Sequence, residues 1–142
     1  MMAEPISVTK EDICVVRNFK VYEHPSWIAK VETSQGKTAY FSSPKSMFEF
    51  YFQPDRWFEL GAKTPDDITV ITVTDFNTLD AINARSAFYV YGSTQISPAG
   101  DDLPAFSTKE DAEAFAAKYK GKRVLRFSEI HNSLIRLING RI

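Results

Sequence analysis

The chain has 142 residues and a formal net charge of −1, with 44% hydrophobic and 25% charged residues. That is the balance of one ordinary globular domain or two very small ones, and it excludes a disordered chain, a charge-driven nucleic-acid binder and a membrane-spanning helix. One Cys excludes an intrachain disulfide framework and a thiolate-rich zinc site, while two His and three Met leave a thin inventory of soft ligands.

Residues 1–12 are polar and read as a loose lead-in. No basic stretch followed by an apolar one opens the chain, so an intact secretory signal is not expected. From Ile13 to Val21 apolar and polar residues interleave, which predicts a strand. His24-Pro25-Ser26 marks a turn, and Trp27, Ala29 and Val31 alternate as a second strand. Ser34-Gln35-Gly36-Lys37 reads as a hairpin turn, with Thr38 to Phe41 returning. Ser43 followed by Pro44 signals a helix start, because Ser caps free N–H groups and Pro has none to leave free. Met47, Phe48, Tyr51 and Phe52 give that helix an apolar stripe, and Pro54 ends it.

A long connection from Asp55 to Asp67 leads to Ile68–Thr74. Every position there but Thr or Val is Ile, which makes it the strongest strand signal. Leu79 to Ala84 is expected as an irregular or helical link. Ala87 to Tyr91 and Leu103 to Phe106 read as strands, and Gly92 to Asp102 as a loop between them. Ser107-Thr108-Lys109-Glu110 fits a capping box for a helix with Ala112, Phe115, Ala116 and Tyr119 on its apolar face. Gly121 stops that helix and Arg123 to Phe127 closes the unit. In the tail, Leu134, Ile135, Leu137 and Ile138 predict a short helix with one apolar face, Arg136 and Arg141 being turned to water. Such a helix must dock on its own domain or on a second copy, which admits a homodimer through the tail.

The halves repeat: strand, strand, Phe-Ser-Ser or Phe-Ser-Thr, helix, strand. The expected fold is α+β, two packed ββαβ units at residues 13–76 and 77–130, with an amphipathic tail at 131–142. The expected core includes Trp27, Val31, Phe41, Phe48, Val70, Val73, Tyr89, Phe106, Phe115 and Val124.

Few residues carry chemistry. Cys14 reads either as a small buried hydrophobe or as a soft ligand or reactive thiol. His24 reads as a turn residue or a ligand. Met47 is core filler, and His131 has no site around it. Asp66-Asp67 and Asp101-Asp102 read as solvated turns. No nucleophile elbow or phosphate loop is present, and the basic turn Lys118 to Arg123 lacks interleaved aromatics, so no nucleic acid is expected. These residues point to a binding or interaction protein.

The run Ile82-Asn83-Ala84-Arg85-Ser86-Ala87-Phe88-Tyr89-Val90-Tyr91-Gly92-Ser93 resembles a signature of the nitrous-oxide-reductase accessory protein family, NosL. The likeness continues through Leu103-Pro104-Ala105-Phe106-Ser107 and Arg123-Val124-Leu125-Arg126-Phe127-Ser128-Glu129-Ile130. Glu23-His24-Pro25 and Tyr51-Phe52-Gln53-Pro54 carry it into the first half. The resemblance implies two ββαβ units and a periplasmic copper chaperone, lipid-anchored through a leader trimmed from the chain. It implies delivery of Cu(I) to nitrous oxide reductase or its maturation proteins, and no enzyme activity. The family's Cys-x-x-Cys-x-Met motif falls on Cys14, Arg17 and Phe19, and the Met of its Gly-Pro-Met-Gly loop falls on Ala99. Only Cys14 is kept, with His24 as the nearest additional donor, so copper(I) binding is expected to be weak or absent. The alternative is a metal-free interaction module that keeps the fold. The organomercurial lyases share a related fold, but their chemistry needs paired cysteines and this chain has one.

Overall fold

The computed structural model describes residues 4–140. Strand β1 (Ala29–Thr33) turns through Gly36, whose φ of 77° is the left-handed conformation glycine tolerates, into β2 (Thr38–Phe41). Ala29 pairs with Phe41 and Glu32 with Thr38, as the hairpin signal requires. Helix α1 (Pro44–Phe52) begins where Ser43 accepts the Ser46 N–H at 3.3 Å, with Pro44 in the first turn. Short 3-10 turns at Pro54–Leu60 and Pro65–Asp67 lead to β3 (Ile68–Thr74), which pairs antiparallel with the other side of β1.

The expected link after Leu79 is instead strand β4 (Ala81–Asn83). It pairs with β3 and completes a sheet of order β2-β1-β3-β4. The β-branched β3 had an open edge, and three extended residues close it. On its other side Ala81 donates its N–H to the Glu4 carbonyl.

Strand β5 (Phe88–Tyr91) follows, then a small hairpin, β6 (Ile96–Ser97) with β7 (Gly100–Asp101), inside the segment expected as loop. Next come β8 (Ala105–Phe106), α2 (Lys109–Lys118) and β9 (Arg123–Arg126). Their sheet has the order β8-β5-β9, the same two-one-three arrangement as β2-β1-β3, so the α+β fold of two ββαβ units is present with identical topology. Helix α2 is capped one residue later than the sequence reading gave: Thr108 accepts the Asp111 N–H, rather than Ser107 pairing with Glu110. An Asp75–Ala105 bridge joins the two sheets, and the buried Asp75 carboxylate accepts the N–H groups of Asn77 and Ser107.

The expected strand from Ile13 to Val21 is a tight loop. Asn18 takes a φ of 61°, and its N–H returns to the Cys14 carbonyl at 2.8 Å, which an extended strand cannot do. Only bridges at Ile13–Lys20 and Cys14–Tyr40 remain of the strand pattern.

The main core lies where α1 meets the inner faces of both sheets and includes Val31, Phe41, Phe48, Val73 and Tyr89. A smaller core under α2 holds Val90, Phe106 and Phe115. Two expected core residues differ. Val70 is 44% exposed, because a register shift at Glu32/Thr33 leaves Ile71 and Val73 on the inner face and turns Val70 out. Val124 is half-buried, since β9 points Leu125 at the main core.

The tail forms α3 (Asn132–Ile138), packed on α1 with Ile135 buried. Leu137 is 40% exposed, so the expected apolar face is narrower than drawn; Arg136 is exposed as expected, and Arg141 lies outside the described residues. Truncation after Ile130 removes the buried Ile135 side chain and should cost at least about 2 kcal/mol of stability, read as a lower urea midpoint.

Candidate functional site

Cys14 is fully buried at the base of the loop between residues 13 and 20. Its sulfur accepts the backbone N–H of Arg17 at 3.4 Å, and its own N–H goes to the Phe19 carbonyl at 2.8 Å. The thiol is thus turned inward, as the small-hydrophobe reading of this residue has it. His24 is exposed in its turn, and no hydrogen bond joins it to Cys14. Phe19 is 39% exposed and supplies no donor. Met47 is buried in the main core, and His131 is exposed. Among the described residues no three His, Cys, Asp or Glu side chains are grouped to hold a metal ion. Of the soft donors, Cys14 and Met47 are thus both buried, and His24 stands apart in its turn.

What surrounds Cys14 is a polar node. The Arg17 guanidinium donates to Ser46 Oγ at 2.8 Å and to Asn139 Oδ1 at 2.9 Å, and it pairs with the Glu49 carboxylate. Arg17 comes from the Cys14 loop, Ser46 and Glu49 from α1, and Asn139 from the residue after α3. One planar cation with several donors in a fixed fork joins three segments. The Arg17 and Glu49 side chains are only 16% and 10% exposed, so water screens the pair little.

A second node occupies the start of α1. Lys45 is buried, and its ammonium donates to the Ala99 carbonyl at 2.7 Å. A cation in the first turn of a helix faces the positive end of the helix dipole. Burial lowers the Lys45 pKa, and the field of Arg17 lowers it further; Asp102 and Glu49 oppose both. Asp102 is the buried counterpart. Its carboxylate accepts the N–H groups of Lys45 and Leu103, each at 2.8 Å, and the Ser97 hydroxyl at 2.7 Å. The solvated-turn reading of Asp102 is thereby corrected: the β6–β7 hairpin carries this carboxylate inward onto the free Lys45 N–H at the start of α1. Asp67 is the ordinary case, half-buried at the surface and accepting the Lys63 and Thr64 N–H groups.

Lys45, Glu49 and Asn139 were not among the sequence candidates, and Asp102 was weighed there only as part of a solvated turn. A lysine in the first turn after a Ser-Ser-Pro start was a usable signal, since such a cation needs a partner. Nothing in the sequence pairs Arg17 with Asn139, which lie 122 positions apart.

Comparison with known proteins places these features in context. The NosL family model matches residues 5–135. The copper-binding lipoprotein NosL of Stutzerimonas stutzeri is 27% identical over 132 residues, covering 93% of this chain and 68% of that protein. The crystal structure of the copper chaperone NosL from Shewanella denitrificans superposes with a TM-score of 0.78 at 26% identity, over 94% of this chain and 99% of that one.

The buried carboxyl makes a pH prediction. Desolvation raises the Asp102 pKa above its ordinary 3.8, against hydrogen bonds from Ser43, Ser97, Leu103 and Lys45. The folded chain then keeps this proton to higher pH than the unfolded chain does. Its contribution is complete below the unfolded value and is lost as pH rises through the folded one. As pH rises from the ordinary value of 3.8 through the raised folded one, the wild type should lose stability relative to Asp102→Asn, which cannot ionise, in paired urea melts.

Proposed function

The chain belongs to the NosL family, and we propose that it acts as a NosL-like accessory protein in nitrous oxide reductase maturation, with a degraded Cu(I) site. The observation that carries this reading is the family match along residues 5–135, with both relatives named for copper. A carrier of this kind binds and hands over its cargo and needs no catalytic group, so we read the protein as a non-enzyme. Its partners are then nitrous oxide reductase or the proteins that mature it. The relative named a lipoprotein supports a periplasmic, lipid-anchored setting. No helix among the described residues is long and apolar enough to cross a membrane. The exposed Leu137 of α3 is the apolar contact offered to a second copy.

In this reading Cys14 is the remaining thiolate donor, and His24 is the turn-borne partner that joins it only if the 13–20 loop opens. Two-coordinate Cu(I) on one thiolate and one imidazole is chemically sound but weak beside a set of several soft ligands. Arg17 opposes it by at least about 1 kcal/mol at short range. The second reading, a metal-free interaction module, is favoured by one observation: the Arg17–Glu49 pair already holds the loop in place without a metal.

Titration of the reduced protein with Cu(I) against a competing chelator separates the two. The copper-handling reading expects weak binding that vanishes in Cys14→Ser, while the metal-free reading expects none at all. A tight equivalent of copper retained in Cys14→Ser would place the site elsewhere and sink both.

A further inference from the structure

We propose that the Arg17 guanidinium is a built-in lock on the Cys14 loop, a permanent cation standing where a second soft donor would join Cys14 in holding a soft monovalent cation. The inference rests on the copper reading above and deepens it, because it names what closes the site.

Three observations carry it. First, residue 17 begins beside the sulfur: its backbone nitrogen lies 3.4 Å from Cys14 Sγ. A side chain at this position starts within reach of anything bound to that sulfur. Second, both terminal nitrogens of the guanidinium are engaged elsewhere. It donates to Ser46 and Asn139 and pairs with Glu49, so α1 and α3 together hold it. Removing one partner of a part-buried pair of this kind leaves the other without its match, which makes the closed arrangement self-enforcing. Third, the charge is wrong for a cation and is backed by another. Lys45 sits one residue before Ser46 on α1, is itself buried, and feels the field of Arg17. Its ammonium is bonded to Ala99, the loop residue that supplies no side-chain donor. The permanent charge of Arg17 thus sits on the loop that bears the only thiol of the sequence, and the burial of Lys45 next to Ser46 adds no donor to it.

The lock model makes a gain-of-function expectation. In Arg17→Cys the cation is replaced by a thiol two intervening residues from Cys14. Two thiolates suffice to hold Cu(I). The full chain carrying Arg17→Cys should take up one equivalent of Cu(I), bound at least about 100-fold more tightly than by the wild type. The gain should disappear when Cys14→Ser is added, and Arg17→Ser, which removes the charge without adding a thiol, should lack it. Circular dichroism and a thermal melt establish that each variant is folded. Should Arg17→Cys not fold, Glu49→Gln gives an independent reading, since it keeps the side-chain shape and removes the charge partner. The Cys14 thiol should then react with an aromatic disulfide reagent about tenfold faster than in the wild type.

A folded Arg17→Cys that gains no copper overturns the lock, and so does an unchanged thiol rate in Glu49→Gln. A wild type that binds one tight, Cys14-dependent equivalent also overturns it, while strengthening the copper reading. Copper held tightly without Cys14 defeats the copper reading instead, so the two failures are told apart by different variants.

Discussion

Helix α1 has to satisfy two sheets at once, and most of the molecule follows from that. Pro44, Lys45, Ser46, Met47, Phe48 and Phe50 are all buried, whereas α2, in the same topological place of the second unit, buries only Ala112 and Phe115. The Phe48 ring stands 5.5 Å from Tyr89 of the second sheet and 5.2 Å from Phe127, while Phe50 lies 5.5 Å from Phe41 of the first. Edge and tilted contacts of this kind stabilise beyond the area they bury. A helix so enclosed cannot send its polar groups to water. Its first-turn N–H groups and its two polar side chains near the start must find partners inside. Ser43, Asp102, Ala99 and Arg17 are those partners, and that is why both polar nodes gather at one end of one helix.

Much of this fold is legible from the chain. The β-branched run Ile68–Thr74 is a strand, Ser43-Pro44 starts a helix, and the repeated Phe-Ser signals announce two units of the same order. What escaped is set by contacts distant in sequence. Ala81–Asn83 is extended because β3 has an edge to fill, which no local propensity records. Val70 faces outward because a single register shift opposite Thr33 changes the side of the sheet, and a period-two pattern cannot show where such a shift falls. The segment from Ile13 to Val21 alternates like a strand, but Asn18 adopts the left-handed conformation and folds it back on itself.

The candidate site divides in the same way. The positions Cys14, Arg17, Phe19 and Ala99 could be read out along the chain, because a resemblance maps residue to residue. Their surroundings could not. The burial of Asp102 depends on the β6–β7 hairpin carrying it onto α1, and an Asp-Asp pair beside Gly reads as a turn wherever it stands. The grip on Arg17 depends on α3 folding back across α1, so that Asn139 arrives from the far end of the chain. Sequence spacing names the residues at these positions; only the packing reports what each of them touches.

A guanidinium and a cuprous ion carry the same charge, and this gives the exchange its physical sense. In the lock proposed above, the charge that bridges the loop to α1 is one that cannot leave. Arg17 supplies an equal charge on a covalent tether, with hydrogen bonds to Ser46 and Asn139 that a spherical ion would not direct. The loop, α1 and the residue after α3 are thus tied together by the chain's own groups. Leu137 on α3 and Ile13 and Phe19 on the loop are exposed apolar side chains on the elements that this joint ties together. Under the proposed lock, arginine at this position trades freedom of the loop for a surface held in one arrangement by Ser46, Glu49 and Asn139.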